Sequence, residues 1–485
     1  MKSIKTWILI GLLSIPIAGQ SVYAQTINID TFLDLAQRNH PFFIKEAMQA
    51  EIERKNRQRF LGAQDWVLSS TPTYVHQKPI TTSAFAPTTL DIFTVGATAE
   101  KAYWRTGGRF SVEWSSQVTD QTIPDIIIPT IGRIPTGPSR LYQHGISVAY
   151  SQPLLQNKWG RLDRLEYELG KYNIDFAQLQ ALENQENFLL DLSIRFLDWA
   201  LLTEQIEIAR ERLRLAEEQL DQTTRMRRAN LVDEVDVLRA EDATRIAKQN
   251  IVLLESGWKA KQAELAVLSK STDLYGQSPE FDLYALKRLP TADEAVSQLR
   301  LKSRLLQVLL VRKQQLEYQR EGFVEISMPQ LFLNIGAGLQ EGENEFGESL
   351  GLDKPDIFIS LAFSYPLGNR TALADIKTTD SQIRQLEEDI KSIELDLESA
   401  SRNLLIQINE LEKVLALNLE QIESARQKTA EEQKLYDQGR GQLTFVIQAR
   451  DNEENAKLTY AQNAKFYHEL ILQHRALLDE LLPSE

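Results

Sequence analysis

The sequence predicts an α+β membrane protein, mostly α, in which long antiparallel helical hairpins alternate with strand segments and the plan occurs twice, as two internal structural repeats. Three observations predict it. From Asn369 to Gln438 there is neither Gly nor Pro; the turn Tyr436-Asp-Gln-Gly439-Arg-Gly441 follows, and a second Gly- and Pro-free run extends from Gln442 to Leu482. Within the first run Ile383, Leu386, Ile390, Ile393, Leu397, Ala400 and Leu404 recur at steps of 3 and 4, a heptad seam. Around Phe110–Trp114 and Ile146–Tyr150 the hydrophobic period changes from 3.6 to 2. At 1.5 Å per residue, a helix of ~70 residues is on the order of 100 Å long, so the hairpin must serve something beyond a compact domain.

Taken in order, the chain opens with Lys2 and Lys5, an apolar core from Trp7 to Ala18, and Val22-Tyr23-Ala24. That is the pattern of a signal peptide over 1-24, cleaved after Ala24; the apolar run is shorter than the ~20 residues a spanning helix needs. About 460 residues remain, enough for more than one domain. There is no Cys, which excludes disulfides, a lipid-modified cysteine and thiol chemistry. The net charge of −14 removes the basic footprint expected of a nucleic-acid binder. Mean hydropathy is −0.32 and no later apolar run has spanning length. That excludes a helical inner-membrane protein but not a β-barrel, whose alternating strands escape hydropathy.

Asp30 is placed to cap a first helix, which Asn39-His40-Pro41 interrupts and which resumes to about Phe60. From Ser69 to Gln152 prolines, threonines and aromatic residues rise. Gly108–Thr119 and Gly145–Gln152 read as strands, Thr71–Lys78 and Leu90–Lys101 as weaker ones, and Asp120–Arg140 as a long loop. A helical pattern begins at Arg161, and Asn230 takes the left-handed position at its reversal. After a linker, helix is expected from about Asp293 to Glu321. Leu331, Leu333, Ile335, Ala337 and Leu339 then form one strand face, and Ile357, Ile359, Leu361, Phe363 and Tyr365 another.

The halves superimpose. Tyr150-Ser-Gln-Pro153-Leu154 matches Phe363-Ser-Tyr-Pro366-Leu367, Thr71-Pro72 matches Met328-Pro329, and Asn230, Val237 and Ala240 match Gly439, Val446 and Ala449 at a constant offset of 209. The expected organisation is a first repeat over 25-268 (strands 71-152, hairpin 161-268), a linker over 269-290, and a second repeat over 291-485 (strands 330-366, hairpin 369-482). Strands with one apolar face, too few to close alone, imply an oligomer that completes a barrel.

These features resemble the TolC-like outer-membrane efflux protein family (outer membrane factors) over essentially the whole mature chain. The resemblance rests on Leu33-x-Leu35-Ala36-x-x-Asn39-x-Pro41, the Gln152-Pro153-Leu154-Leu155 and Tyr365-Pro366-Leu367-Gly368 corners, and Tyr436-x-x-Gly439 followed by Val446 and Ala449. It implies a homotrimer with a twelve-stranded outer-membrane β-barrel, four strands from each chain, and a periplasmic α-barrel of the long helices. It further implies a periplasmic adaptor (membrane fusion) protein and an inner-membrane RND or ABC transporter as partners, contact with outer-membrane lipid, no nucleic acid, no catalysis, no cofactor and no metal. The function implied is the exit duct of a tripartite efflux or type I secretion system.

At the periplasmic mouth, Asp236 and Tyr436 fall on family positions that tie the closed mouth together. The family's partner arginine would fall at Gly441, with Arg440 one residue early, and two acidic ring positions fall at Phe445 and Gln448. A partly hydrophobic constriction at Phe445 and Gln448, gating by dewetting, is expected instead, with Asp233, Glu234 or Asp236 as the alternative source of charge. Asn230, Gly439, Arg440 and Gly441 are the expected hairpin-tip and adaptor-docking residues. The bland readings are a solvated carboxylate for Asp236 and packing between hairpins for Phe445. Four strand candidates precede Gln152 where the resemblance needs two. Thr71–Lys78 and Gly145–Gln152 are therefore expected in the barrel, with Leu90–Lys101 and Gly108–Thr119 an extra hairpin in an external loop; the alternative is that this pair widens the barrel.

Gly336-Ala-Gly338 lacks the helix and Lys of a phosphate loop, and the five histidines are not at ligand spacing. Trp104, Trp114, Tyr142 and Tyr150 are candidates for aromatic girdles or for ordinary strand packing. A second class of function, a secreted or surface coiled-coil scaffold or adhesin, has no need of matched barrel strands in both halves.

Overall fold

A computed structural model describes residues 26–80, 86–130, 132–134, 136 and 138–482; the expected signal peptide lies outside the described residues. In chain order the elements are β1 (Thr26–Asn28), α1 (Ile29–Asn39), α2 (Pro41–Arg59), β2 (Val67–Ser70), β3 (Thr73–Gln77), β4 (Thr89–Tyr103), β5 (Gly108–Thr122), β6 (Ile126–Ile128), β7 (Gly132–Ile134), β8 (Pro138–Pro153), α3 (Leu165–Arg228), α4 (Glu234–Ser269), β9 (Ser278–Glu280), α5 (Ala292–Lys302), α6 (Arg304–Ile326), β10 (Gln330–Glu343), β11 (Lys354–Ser364), α7 (Arg370–Asp437) and α8 (Leu443–Leu477). The fold is mostly helical, with strands, as the sequence predicts. Among the described residues no helix is long and apolar enough to cross a membrane.

Among the described residues the chain forms two compact units: 26–41, 188–289 and 404–475 in the first, 42–187, 290–403 and 476–482 in the second. In the first, β1 pairs in parallel with β9, and Asn28, not Asp30, caps α1 by accepting from the Thr31 N–H at 2.8 Å. Asn28 has the extended backbone a cap requires, whereas Asp30 already lies in the first helical turn. One core gathers Phe32, Leu192, Phe196, Trp199 and Leu265; another gathers Leu283, Ile408, Leu415, Tyr467 and Ile471. The second core continues the heptad seam of α7 past Leu404.

His468 is buried beside this second core, its Nε2–H donating to the Leu283 carbonyl at 3.1 Å with the Phe281 ring at its edge. Burial pushes its pKa down to about 4. Protonation therefore favours the unfolded chain: this stability is fully present above the unfolded value near 6.5 and is lost as pH falls toward 4, on the order of 3 kcal/mol across the window. Thermal melting at pH 7 and pH 4.5 should show a drop that is markedly smaller in His468→Asn.

The second unit holds the main sheet, in the order β11-β10-β8-β5-β4-β2, with β3 also on β4. Every pairing in it is antiparallel. Ser70 faces Ala97 and Thr73 faces Thr94, so the register runs unchanged through Thr71 and Pro72. β2 and β3 are one strand position, broken at Pro72, which has no N–H to give the ladder and is tolerated at an edge. The expectation that Leu90–Lys101 and Gly108–Thr119 form a hairpin outside the sheet is overturned. β4 pairs with β5 from Thr89–Thr122 to Tyr103–Gly108, and β5 pairs with β8 from Arg109–Ser151 to Thr122–Pro138. Both strands carry the same apolar and polar alternation as their neighbours, and that is what places them in one sheet. The expected loop Asp120–Arg140 is shortened by extension of β5 and β8 and carries the small β6–β7 ladder. The expected helix 293–321 is two helices, divided at Ser303, whose hydroxyl accepts from the Leu306 N–H.

Register assigns the faces. Leu68, Phe93, Val95, Ala97, Val112, Trp114, Ile146, Val148, Leu333, Ile335, Ile359 and Leu361 share one face, and many of them are exposed: Leu68, Trp114, Ile146, Val148, Ile335, Ile359 and Leu361 among them. The other face carries Thr98, Ser111, Glu113, Ser115, Gln117, Gln143, Ser147, Asn334 and Ser360. At one end of the apolar face sit Tyr74, His76, Asp91, Asp120 and Arg140; Arg140 grips Asp120 at 2.5 and 2.7 Å, and Tyr74 donates to Asp91 at 2.7 Å. Trp114, Tyr142 and Tyr150 lie on the apolar face, but Trp104 is buried at the β4–β5 turn against Tyr167, so it is no girdle residue.

Candidate functional site

The candidate site is the pair of helical reversals in the first unit. α3 ends at Arg228 and α4 begins at Glu234; α7 ends at Asp437 and α8 begins at Leu443. Asn230 holds φ +57 and Gly439 holds φ +71, the left-handed conformation that stops a helix. The Gly439 N–H then donates to Tyr436 O at 2.9 Å, and the N–H groups of Arg440 and Gly441 both donate to Leu435 O, at 2.9 and 3.0 Å. These bonds satisfy carbonyls that the last turn of α7 would leave open.

Tyr436 is 3% exposed and packs with Ala240, Leu443 and Val446. Its Oη lies 3.4 Å from Thr223 Oγ1 on α3. Burial, with lesser contributions from the Asp236 and Asp437 carboxylates, holds its phenol above the ordinary value. Asp236 is paired with Arg239 on its own helix at 3.0 Å. Beside Tyr436, the Gln222 amide donates to Asp437 at 2.7 Å. Phe445 is 49% exposed, and Gln448 and Arg440 are exposed as well. The structure thus brings Tyr436 to α3, leaves Asp236 with Arg239, and turns Phe445 and Gln448 to the surface of the chain.

Sequence reasoning missed an ion-pair link between the hairpins. Arg212 on α3 is 8% exposed; its Nε donates to Asp451 Oδ1 on α8 at 3.1 Å, its Nη2 donates to the same oxygen, and Glu454 lies 3.5 Å away. Burial raises the Glu454 carboxyl, with Arg212 opposing. Arg450 Nη1 donates to Leu215 O at 2.7 Å and its Nη2 to Gln433 at 2.8 Å. One helix therefore supplies a cation and the other two carboxylates, and Arg450 sends the opposite contact back. No local motif marks this set, since Arg212 and Asp451 are 239 residues apart.

No protein-family model matches the chain, and no curated protein matches it by sequence. Solved structures do match. The outer-membrane channel OprN is 14% identical, with 93% of this chain and 90% of that chain covered at a TM-score of 0.64. The outer membrane protein VceC of Vibrio cholerae is 10% identical, with 93% and 96% covered at 0.64. The open state of the MtrE outer membrane channel of Neisseria gonorrhoeae is 14% identical, with 93% and 89% covered at 0.61. The fold is that of the TolC-like outer-membrane channels.

Within this TolC-like fold the reversal of α7 explains its own departure. A Cβ built on Gly441 would sit 2.9 Å from the Tyr436 nitrogen and 3.1 Å from the Leu435 carbonyl carbon. Backbone blocks a side chain there, so the arginine that the resemblance puts at 441 has no room in this turn. Arg440, one residue earlier, is exposed and unconstrained by that contact.

Proposed function

We propose that the chain is the outer-membrane channel of a tripartite efflux or type I secretion system. Three copies form an exit duct that passes small molecules or proteins from an inner-membrane RND or ABC transporter, through a periplasmic adaptor, to the outside. In this reading the protein sits in the outer membrane with its helical tube in the periplasm, performs no catalysis, and is built of two equivalent repeats. The observation that carries it is the sheet of the second unit. It has an apolar face made largely of exposed residues, a polar face of hydroxyls and amides, and, among the described residues, two unpaired edges. An apolar surface that wide is a liability in water and is satisfied by lipid. Open strand edges cannot remain in lipid, so copies must join. The long helical hairpins supply the length needed to cross an aqueous gap.

The mouth of the tube is assigned to the two reversals. Tyr436 and the Arg212–Asp451–Glu454 clamp hold neighbouring hairpins together, Asp236 stays with Arg239 on its own helix, Asn230, Gly439, Arg440 and Gly441 present the tips to the adaptor, and Phe445 and Gln448 line the constriction. A ring of Phe445 and Gln448 carries no charge, so its barrier to ions is dewetting. Phe445→Asp would place a carboxylate at this level from each copy. The expected result is a several-fold rise in cation over anion permeability, read from reversal potentials in a salt gradient. Unchanged selectivity would move the constriction elsewhere.

Cell fractionation tests the assignment. A heat-sensitive trimer in the outer membrane supports it; a soluble extracellular product would instead favour a secreted coiled-coil scaffold or adhesin.

A further inference from the structure

We infer that each chain contributes six strands to the membrane wall, so that three copies close an eighteen-stranded barrel with a bore roughly half as wide again as twelve strands would give. This rests on the channel reading above and deepens it, because it sets the size of cargo the outer-membrane passage can admit.

The hairpin β4–β5 decides the number. It lies inside the sheet, between the β2–β3 position and β8. Its turn, Tyr103–Gly108, is level with Ser151–Pro153, the end of β8 that leads into α3. Its other end meets the loops at Gln77–Leu90 and Thr122–Pro138. The hairpin therefore spans the full height of the sheet, as β8 and β10 do. Its apolar residues fall at the same level as theirs: Ala97 faces Trp114, Trp114 faces Ile146, and Ile146 faces Leu339. A loop packed over the outside of a barrel would have no reason to continue that row. At fifteen residues each, β4 and β5 exceed the 9–11 needed to cross the apolar layer.

The topology also supplies the seam. Strand direction alternates from the β2–β3 position through β4, β5, β8, β10 and β11. The first and last positions thus run oppositely, and β11 of one copy meets the β2–β3 edge of the next as an antiparallel pair. An even strand number per chain is what lets identical copies close without a parallel joint. Both edges carry a proline, Pro72 and Pro355, which limits pairing to partners whose ladder tolerates the gap.

The inner wall that results is built mostly of uncharged polar groups, with the Glu113 carboxylate set between Thr98 and Ser147. Thr94 Oγ1 donates to Gln117 Oε1 at 3.4 Å, and the Gln117 amide donates to Thr119 at 3.0 Å and to Gln143 at 2.9 Å. Ser115, Ser147, Ser151 and Ser360 continue it in hydroxyls, and Glu100 lies 3.8 Å from Arg109. A wide wall built mostly of amides and hydroxyls suits bulky polar or amphipathic cargo.

Because the chain has no cysteine, single-cysteine variants test this directly. Thr98→Cys and Ser115→Cys on the polar face, and Ala97→Cys and Val112→Cys on the apolar face, are treated in lipid vesicles with a membrane-impermeant thiol reagent. The heat-sensitive trimer serves as the folding control for each variant. The expected result is at least ten-fold faster labelling at 98 and 115 than at 97 and 112. Equal labelling of all four in a membrane-bound trimer would overturn the six-strand wall and leave the channel reading standing; a soluble monomer would overturn both. Strand counting in an electron-microscopy map of the unmodified trimer gives the second readout, eighteen supporting the inference and twelve refuting it.

Discussion

Glu186→Ala is expected to destabilise the second unit by about 3–5 kcal/mol, the cost of stripping a buried ion pair of one partner. Glu186 is 1% exposed and is the shared acceptor for three donors. The Arg304 guanidinium reaches it at 3.0 Å, and the N–H groups of Leu481 and Leu482 reach it at 2.6 and 3.2 Å. Asp479 completes the cluster, accepting from the Arg304 backbone N–H at 2.7 Å and from its Nη1 at 3.3 Å. One carboxylate thus fastens the segment after α8 to both α3 and the start of α6. Alanine would leave a buried cation short of one partner and two amides without acceptors, and the unmade bonds, not the lost attraction alone, set the size of the effect. Glu186→Gln keeps an acceptor oxygen and should recover part of the loss. The measurement is denaturant unfolding of the detergent-solubilised protein, with limited proteolysis of the C-terminal segment as the local readout. Wild-type stability in Glu186→Ala would show that the cluster is incidental.

Arg212→Met should loosen the hairpins where they approach the reversals. The substitution keeps an unbranched, space-filling side chain and removes the charge that Asp451 and Glu454 share. The cost expected is about 2–4 kcal/mol, below that of a fully enclosed pair because the Asp451 side chain is 49% exposed. Glu454 moderates it further: burial already raises its pKa, so without Arg212 it can take up a proton rather than remain a buried anion. The functional expectation is larger than the stability one. If the clamp holds the mouth shut, its loss raises single-channel conductance several-fold, while Lys248→Met, which breaks the exposed pair with Glu217 at 2.9 Å, leaves it unchanged. Equal conductance in the two variants would make the clamp a structural link only.

Much of the fold was legible because helix and strand signals here are strong and local. Runs free of Gly and Pro, the heptad seam from Ile383 to Leu404, and the left-handed residues Asn230 and Gly439 mark the hairpins within the windows they occupy. Strand existence was equally readable, from alternation in Phe110–Trp114 and Ile357–Tyr365. Strand partnership was not. Alternation in Phe93, Val95, Ala97 and Ala99 was present in the sequence, but which strand lies beside β4 is a tertiary fact, and an expected count of four strands per chain pushed the hairpin outside the sheet. At the mouth, Tyr436 and Gly439 stand where a local turn motif places them. The Arg212 clamp has no such signal, because its members are ordinary helix-surface residue types joined only when two distant helices pack. Glu186 is the same case: a carboxylate on a highly charged helix reads as solvated until its three donors are known.

The most direct test of the central claim is single-channel recording of the purified protein in planar lipid bilayers, wild type beside Arg212→Met. The expected result is discrete, uniform conductance steps in both, small or infrequent in the wild type and several-fold larger in the variant. Protein that inserts into the bilayer as a trimer yet gives no steps in either form would contradict it.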